Sequence, residues 1–153
     1  MNSTYSQIYI HVVFAVKFRE SLIDEEWDER LFQYITGIVE NKGQKMLAIN
    51  GIPNHIHFFL GMKPTCILSD LVREIKKSST AFIKEQQLSR SKFQWQEGYG
   101  AFSYGHSQMD KVISYVMGQK AHHKKLTFRD EYVELLKRFN IDFEEKYLFD
   151  WNE

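Results

Sequence analysis

With one cysteine, Cys66, and two prolines in 153 residues, the chain has little to staple or rigidify it. A lone cysteine excludes an internal disulfide and any cysteine cluster for zinc, and it fits a reducing compartment. Long hydrophobic runs are lacking too. The apolar stretch within "MNSTYSQIYIHVVFAVKFRE" is interrupted by His11 and Lys17, and no basic leader precedes it. Neither a signal peptide nor a membrane span is expected, and a cytoplasmic location without membrane partners is. No repeat, low-complexity tract or linker divides the chain, so residues 1–153 read as a single domain. Net charge is also absent, with 20 basic against 20 acidic side chains.

That neutrality conceals a pattern. Residues 1–70 carry a net charge of −2, residues 71–129 carry +7 and residues 130–153 carry −5. A basic middle between acidic ends is what a phosphate backbone responds to, although solvated helix faces give the same count. An apolar content of 43%, with 12 Phe, 8 Tyr and 3 Trp, supplies a globular core.

Ile8, Ile10, Val12, Phe14, Val16 and Phe18 alternate strictly, which predicts a strand with Tyr9, His11, Val13, Ala15, Lys17 and Arg19 on its other face. A helix follows, with Asp24 as its cap, Trp27, Leu31, Ile35 and Ile38 as its apolar stripe and Gly43 as its stop. Two short apolar runs joined around Pro53-Asn54 predict an antiparallel pair. The segment "CILSDLVREIKKSSTAFIKEQQ" has an apolar helical stripe at Leu68, Leu71, Ile75 and Phe82, with Arg73, Lys76, Lys77 and Lys84 on another face. A fourth strand lies within "SRSKFQWQEGYGAFSYG". The order is β-α-β-β-α-β, an α+β fold with a ferredoxin-like antiparallel sheet, two helices on one face and the other face initially open. Additional C-terminal helices follow, one over about residues 108–123 and one capped by Thr127, with an acidic aromatic tail to residue 153.

Candidate chemistry begins at "GIPNHIHFFLG", residues 51–61. On a strand, His55 and His57 share one face roughly 7 Å apart while Ile56, Phe58 and Leu60 point to the other. Two imidazoles so placed can lean onto one cation. A hydrogen-bonded pair on a half-buried strand accounts for them equally well. Further on, Tyr115, Gln119 and His122 fall on one helical stripe at i, i+4 and i+7. A tyrosine bordering an apolar stripe is usually packing. Its combination with H-x-H on a strand, and with basic residues nearby, is what points to chemistry.

The ordered set formed by Lys17-Phe18-Arg19, His55-Ile56-His57, "WQEGYGAFS" at 95–103 and "VISYVMGQKAHHKK" at 112–125 resembles the single-tyrosine HUH transposases of small bacterial insertion sequences, the IS200-like family, and the related REP-associated tyrosine transposases. The resemblance covers nearly the whole chain. It implies a DNA transposase that cleaves and rejoins single-stranded DNA at hairpin-bearing element ends through a 5′-phosphotyrosine. It further implies Tyr115 as nucleophile and His55, His57 and Gln119 as ligands of Mg²⁺ or Mn²⁺, although imidazole softness alone would suit zinc. Relatives form homodimers in which the tyrosine helix can complete the partner's site. Lys17, Arg19, Arg73, Lys76, Lys77 and Lys84 are expected to meet DNA phosphates, with Trp95, Tyr99 or Phe102 either stacking on bases or filling the core. Many relatives have Asp where this chain has Asn54, and Gly118, in mid-helix beside Gln119, costs about 1 kcal/mol relative to Ala and loosens the tyrosine helix. The rival readings are a non-catalytic nucleic-acid binder on the same split fold, and a domesticated relative that cuts DNA without moving an element.

Overall fold

Alternation of Val12 and Phe14 with His11 and Val13 puts each set on its own side of a pleated strand. In the computed structural model, which describes residues 3–122, 126–144 and 148, this strand is β1 (Tyr9–Ala15). It is followed by α1 (Asp28–Asn41), β2 (Lys45–Ile52), β3 (His55–Gly61), α2 (Leu68–Glu85) and β4 (Gly100–Tyr104). The sheet order is β2-β3-β1-β4 with antiparallel neighbours throughout. The split β-α-β-β-α-β fold expected from the sequence is therefore present.

One face of the sheet presents Val12, Phe14, Ile56, Phe58 and Leu60 to α1 and α2, whose Leu31, Ile35, Val39, Leu71, Ile75 and Ile83 are buried against them. The other face carries His11, Val13, Ala15, His55, His57 and Phe59. It is covered by α3 (Met109–Met117), the short α4 (Gln119–His122) and α5 (Phe128–Arg138). Val112 and Val116 of α3 pack on Ala48 and Phe59, and Phe128, Leu135 and Leu136 of α5 pack on Val13, Ala15 and Phe102. The two histidines of β3 thus lie between the sheet and a second helical layer.

Two local features fix where the site lies. In the hairpin from β2 to β3, a Cβ added to Gly51 would sit 2.6 Å from the carbonyl oxygen of His55. Only glycine permits that approach, so Gly51 sets the start of the histidine strand. β1 also ends sooner than the alternation implies. Val16 and Lys17 donate their amides to the carbonyls of Asn54 and Gln94, both at 2.9 Å. Lys17–Arg19 then form a 3₁₀ turn with Phe18 and Arg19 at φ of 57° and 54°. Phe18 consequently leaves the sheet and is exposed.

The tyrosine helix is split. It stops at Gly118, whose amide donates to the Ser114 carbonyl at 2.9 Å, and a new turn starts at Gln119. As the C-cap of α3, Gly118 escapes the cost of about 1 kcal/mol that glycine carries in a helix interior, and burial of Val112 and Val116, worth about 1.5–3 kcal/mol each, keeps the segment docked. Asn50 Nδ2 donates to the Met117 carbonyl at 2.8 Å, and Lys120 Nζ lies 2.9 Å from Asp28 Oδ2. Thr127 caps α5 by accepting from the Asp130 amide at 3.1 Å, as its sequence signature predicts. In the tail, Phe143 and Leu148 pack on the α5 layer, and the Leu148 carbonyl accepts from Gln96 Nε2 at 2.6 Å. The His122 side chain and residues 123–125, 145–147 and 149–153 lie outside the described residues.

Candidate active site

β3 delivers His55 and His57 to the helix-covered face, both fully buried. Each ring is held through its Nδ1. His55 Nδ1 lies 2.7 Å from Asn54 Oδ1, an acceptor that fixes the proton on Nδ1 and leaves Nε2 with its lone pair toward the site. The amide oxygen of Asn54 therefore orients the ring as a carboxylate would, without adding a negative charge. His57 Nδ1 lies 2.8 Å from His11 Nε2, and the two rings stack at 5.0 Å. Burial first, and the neighbouring His57 second, push the His11 imidazole well below its ordinary pKa, so it stays neutral. A neutral His11 orients His57 without adding charge.

Opposite the two Nε2 atoms sits a carboxylate that the sequence did not single out. Glu131 of α5 is 2% exposed, and its Oε1 lies 3.0 Å from His57 Nε2 and 3.4 Å from His55 Nε2. Its Oε2 accepts from the Tyr115 hydroxyl, and from Gln119 Nε2 at 3.2 Å. His55, His57 and Glu131 form a buried group whose candidate ligand atoms lie within 4.8 Å of one another. The available signal for Glu131 was a charged residue on the stripe defined by Phe128 and Leu135, where helical spacing calls for an apolar side chain.

Tyr115 and Gln119 reach the same group from across the Gly118 break. The Tyr115 ring meets His57 edge-on at 5.7 Å and His11 at 5.9 Å. Burial first, and the Glu131 carboxylate second, push its phenol well above the ordinary tyrosine value. As held here, Tyr115 is protonated and donates to Glu131. Gln119 is fully buried, and its Oε1 has no hydrogen-bond partner among the described residues. Such an orphan acceptor costs about 1–3 kcal/mol unless a cation or donor meets it. All four residues expected to carry the chemistry are brought together within a single chain.

The basic residues divide into two groups. Lys17 and Arg19 occupy the turn after β1, beside Asn54 and so near the histidine strand. Arg73, Lys76, Lys77 and Lys84 lie on α2, across the sheet from the histidines. Arg73 pairs with Asp70, and Lys77 and Lys84 are exposed. Lys76 differs from its neighbours. Its ammonium donates to the carbonyls of Gln96 and Gly98 at 2.7 and 2.6 Å and lies over the Phe14 ring, and burial brings its pKa down to about 8. It fastens α2 to the 96–98 loop. Trp95 and Phe102 belong to the core, whereas Tyr99 is half-buried at the rim of a groove of about 740 Å³ with Arg73, Lys76 and Lys77. With the histidine face covered by α3 and α5, the open aromatic sheet of an RNA-recognition module is not available here.

The pattern described as "Transposase IS200 like" matches residues 4–119, which include the histidine strand, Tyr115 and Gln119. The chain belongs to this family. It is a transposase, an enzyme class that cuts and transfers DNA during the movement of mobile elements. The ISDra2 transposase TnpA of Deinococcus radiodurans is 21% identical over 118 residues, 74% of this chain and 84% of the relative. Among solved structures, a putative transposase from D. radiodurans R1 superposes with a TM-score of 0.59 at 18% identity, covering 78% of this chain and 95% of that one. A REP-associated tyrosine transposase bound to a REP hairpin gives 0.61 at 16% identity, covering 80% and 73%. These two likenesses carry the fold. No described helix of this transposase is long and apolar enough to cross a membrane.

Proposed function

We propose that this transposase cleaves and rejoins single-stranded DNA at hairpin-bearing element ends through a 5′-phosphotyrosine on Tyr115, assisted by Mg²⁺ or Mn²⁺ held by His55, His57 and Gln119. The observation that carries the reading is the convergence of Tyr115 with two Nδ1-anchored imidazoles and the orphan Oε1 of Gln119 in one buried cluster. Such a donor set fits a divalent cation, which when bound withdraws charge from the scissile phosphate. The chain's own residues do the rest. The tyrosine oxygen bonds to phosphorus as the bond to the 3′ oxygen breaks; the phenol loses one proton and the 3′ oxygen takes one up, so the step balances. The phosphotyrosine retains the energy of the broken link, and attack by a 3′-OH from another strand transfers the DNA without ATP.

An element has two ends and each chain one such tyrosine, which favours a homodimer. As folded here, each chain holds Tyr115 over its own His57. Exchange of α3 between partners would give the crossed arrangement in which the tyrosine helix completes the partner's site. The relative solved with a REP hairpin supports hairpin DNA as substrate, and the groove beside α2 supplies cations for its backbone. The reading is tested by incubating the protein and Mn²⁺ with matched oligonucleotides. Cleavage of a single strand carrying a hairpin, with a 5′-linked protein adduct and a free 3′-OH, supports it, and equal cutting of duplex without an adduct contradicts it.

The basic surface makes its own prediction. Removing Arg73, Lys77 and Lys84 together should weaken all hairpins alike, with the salt-dependence slope falling by roughly 0.7–0.9 for each phosphate that is no longer neutralised. Lys76→Ala is a poor probe of DNA binding because it also releases the 96–98 loop. Unchanged affinity and slope in the triple variant, measured by fluorescence anisotropy across a salt series, would make the stripe a solvated surface only.

A further inference from the structure

We infer that Glu131 is a ligand of the same divalent cation, completing a four-residue set with His55, His57 and Gln119; this rests on the metal-site reading above. Spacing supports it first. Two ligands in adjacent positions of an octahedral ion with bonds of about 2.1 Å lie about 3.0 Å apart. Glu131 Oε1 is 3.0 and 3.4 Å from the two imidazole Nε2 atoms, so all three are placed to share one ion.

Charge supports it next. A carboxylate buried to 2% exposure among two imidazoles, a phenol and an amide carries a large desolvation cost, and a divalent cation beside it offsets that cost more fully than neutral donors do. The two carboxylate oxygens also divide their work. Oε1 faces the imidazoles while Oε2 takes the Tyr115 hydroxyl and the Gln119 amide, so a cation on Oε1 leaves the tyrosine bond in place. Glu131 then ties the nucleophile to the cation through one carboxylate. Its oxygen is a hard ligand, which moves the set away from zinc and toward Mg²⁺ or Mn²⁺. Glu131 lies beyond residues 4–119, the part matched by the family pattern, so this ligand is supplied by the chain's own C-terminal helix.

The test is Mn²⁺ binding to the full chain without DNA, by calorimetry and by water-proton relaxation of the bound ion. Glu131→Ala and the isosteric Glu131→Gln are compared with wild type, and thermal melting without metal checks their folding. Glu131→Gln removes charge but no volume and is expected to melt at or above wild type. Both variants should bind Mn²⁺ at least about tenfold more weakly, and the ion bound to Glu131→Ala should carry one additional exchangeable water. Unchanged or tighter binding in Glu131→Gln would show that Glu131 competes with the ion and would overturn the inference. Weaker binding by Glu131→Ala with no added water would also overturn it, because Glu131 would then only orient Gln119, whose Nε2 donates to its Oε2. A wild-type protein that binds no Mn²⁺, or a His55→Ala protein that binds it normally, would instead defeat the metal-site reading itself.

Discussion

A Tyr115→Phe chain is expected to lose single-strand cleavage by about four orders of magnitude or more, because removing the nucleophile leaves no group able to form the covalent intermediate. Its metal and hairpin affinities should stay near wild type. The ring contributes packing against His57 and His11 that phenylalanine preserves. The hydroxyl contributes one hydrogen bond to Glu131, and its loss costs about 1–3 kcal/mol in a buried setting. Stability and catalysis are therefore separable at this position. Cleavage is read on denaturing gels with a labelled strand and binding by anisotropy; a Tyr115→Phe protein that cuts within tenfold of wild type would remove the nucleophile assignment.

Replacing both His55 and His57 with alanine should bring cleavage to the background, a loss of similar size, while hairpin affinity changes by no more than about threefold, because the α2 cations lie across the sheet. This change is harder on the fold. It leaves Asn54 Oδ1, His11 Nε2 and Glu131 Oε1 each short of a partner, at about 1–3 kcal/mol for a buried group. The assay therefore belongs at low temperature with a melting curve beside it. Chelator added to the wild-type protein should reproduce the loss of cleavage without the loss of stability. Cleavage by the double variant in chelator would show that the histidines hold no required ion. Mixing His57→Ala with Tyr115→Phe extends the same experiment. Recovery of cleavage would show tyrosine helices crossing between partners, and no recovery would show each chain using its own.

Period-two and period-3.6 patterns carried the sheet and its helices, because each element buries one face and the residues on that face declare it. β1 shows where such patterns stop. The alternation runs on through Phe18, yet the chain turns away after Val16, since the carbonyls of Asn54 and Gln94 capture its amides and two residues adopt left-handed conformations. Nothing local announces that. The H-x-H pair and the Tyr-x-x-x-Gln spacing were legible for the opposite reason, each being a local pattern on one element. Glu131 was not, because it enters the site through the docking of α5 and is far in sequence from both histidines. Lys76 looked like its basic neighbours, and only the approach of the 96–98 loop turns it into a fastening. His11 sat in plain view on β1, but its role depends on the register that sets Val13 opposite His57 and brings its ring against that histidine.

The most direct measurement is to trap the reaction on a single-stranded, hairpin-bearing oligonucleotide with Mn²⁺, digest the protein and locate the DNA-linked residue by mass spectrometry. The chain contains eight tyrosines, so the assignment is a real choice. The expected result is one 5′-phosphate-linked peptide carrying Tyr115, absent when chelator is present; a linkage to any other residue, or cleavage with no covalent adduct, would contradict the assignment of Tyr115 as the nucleophile of this site.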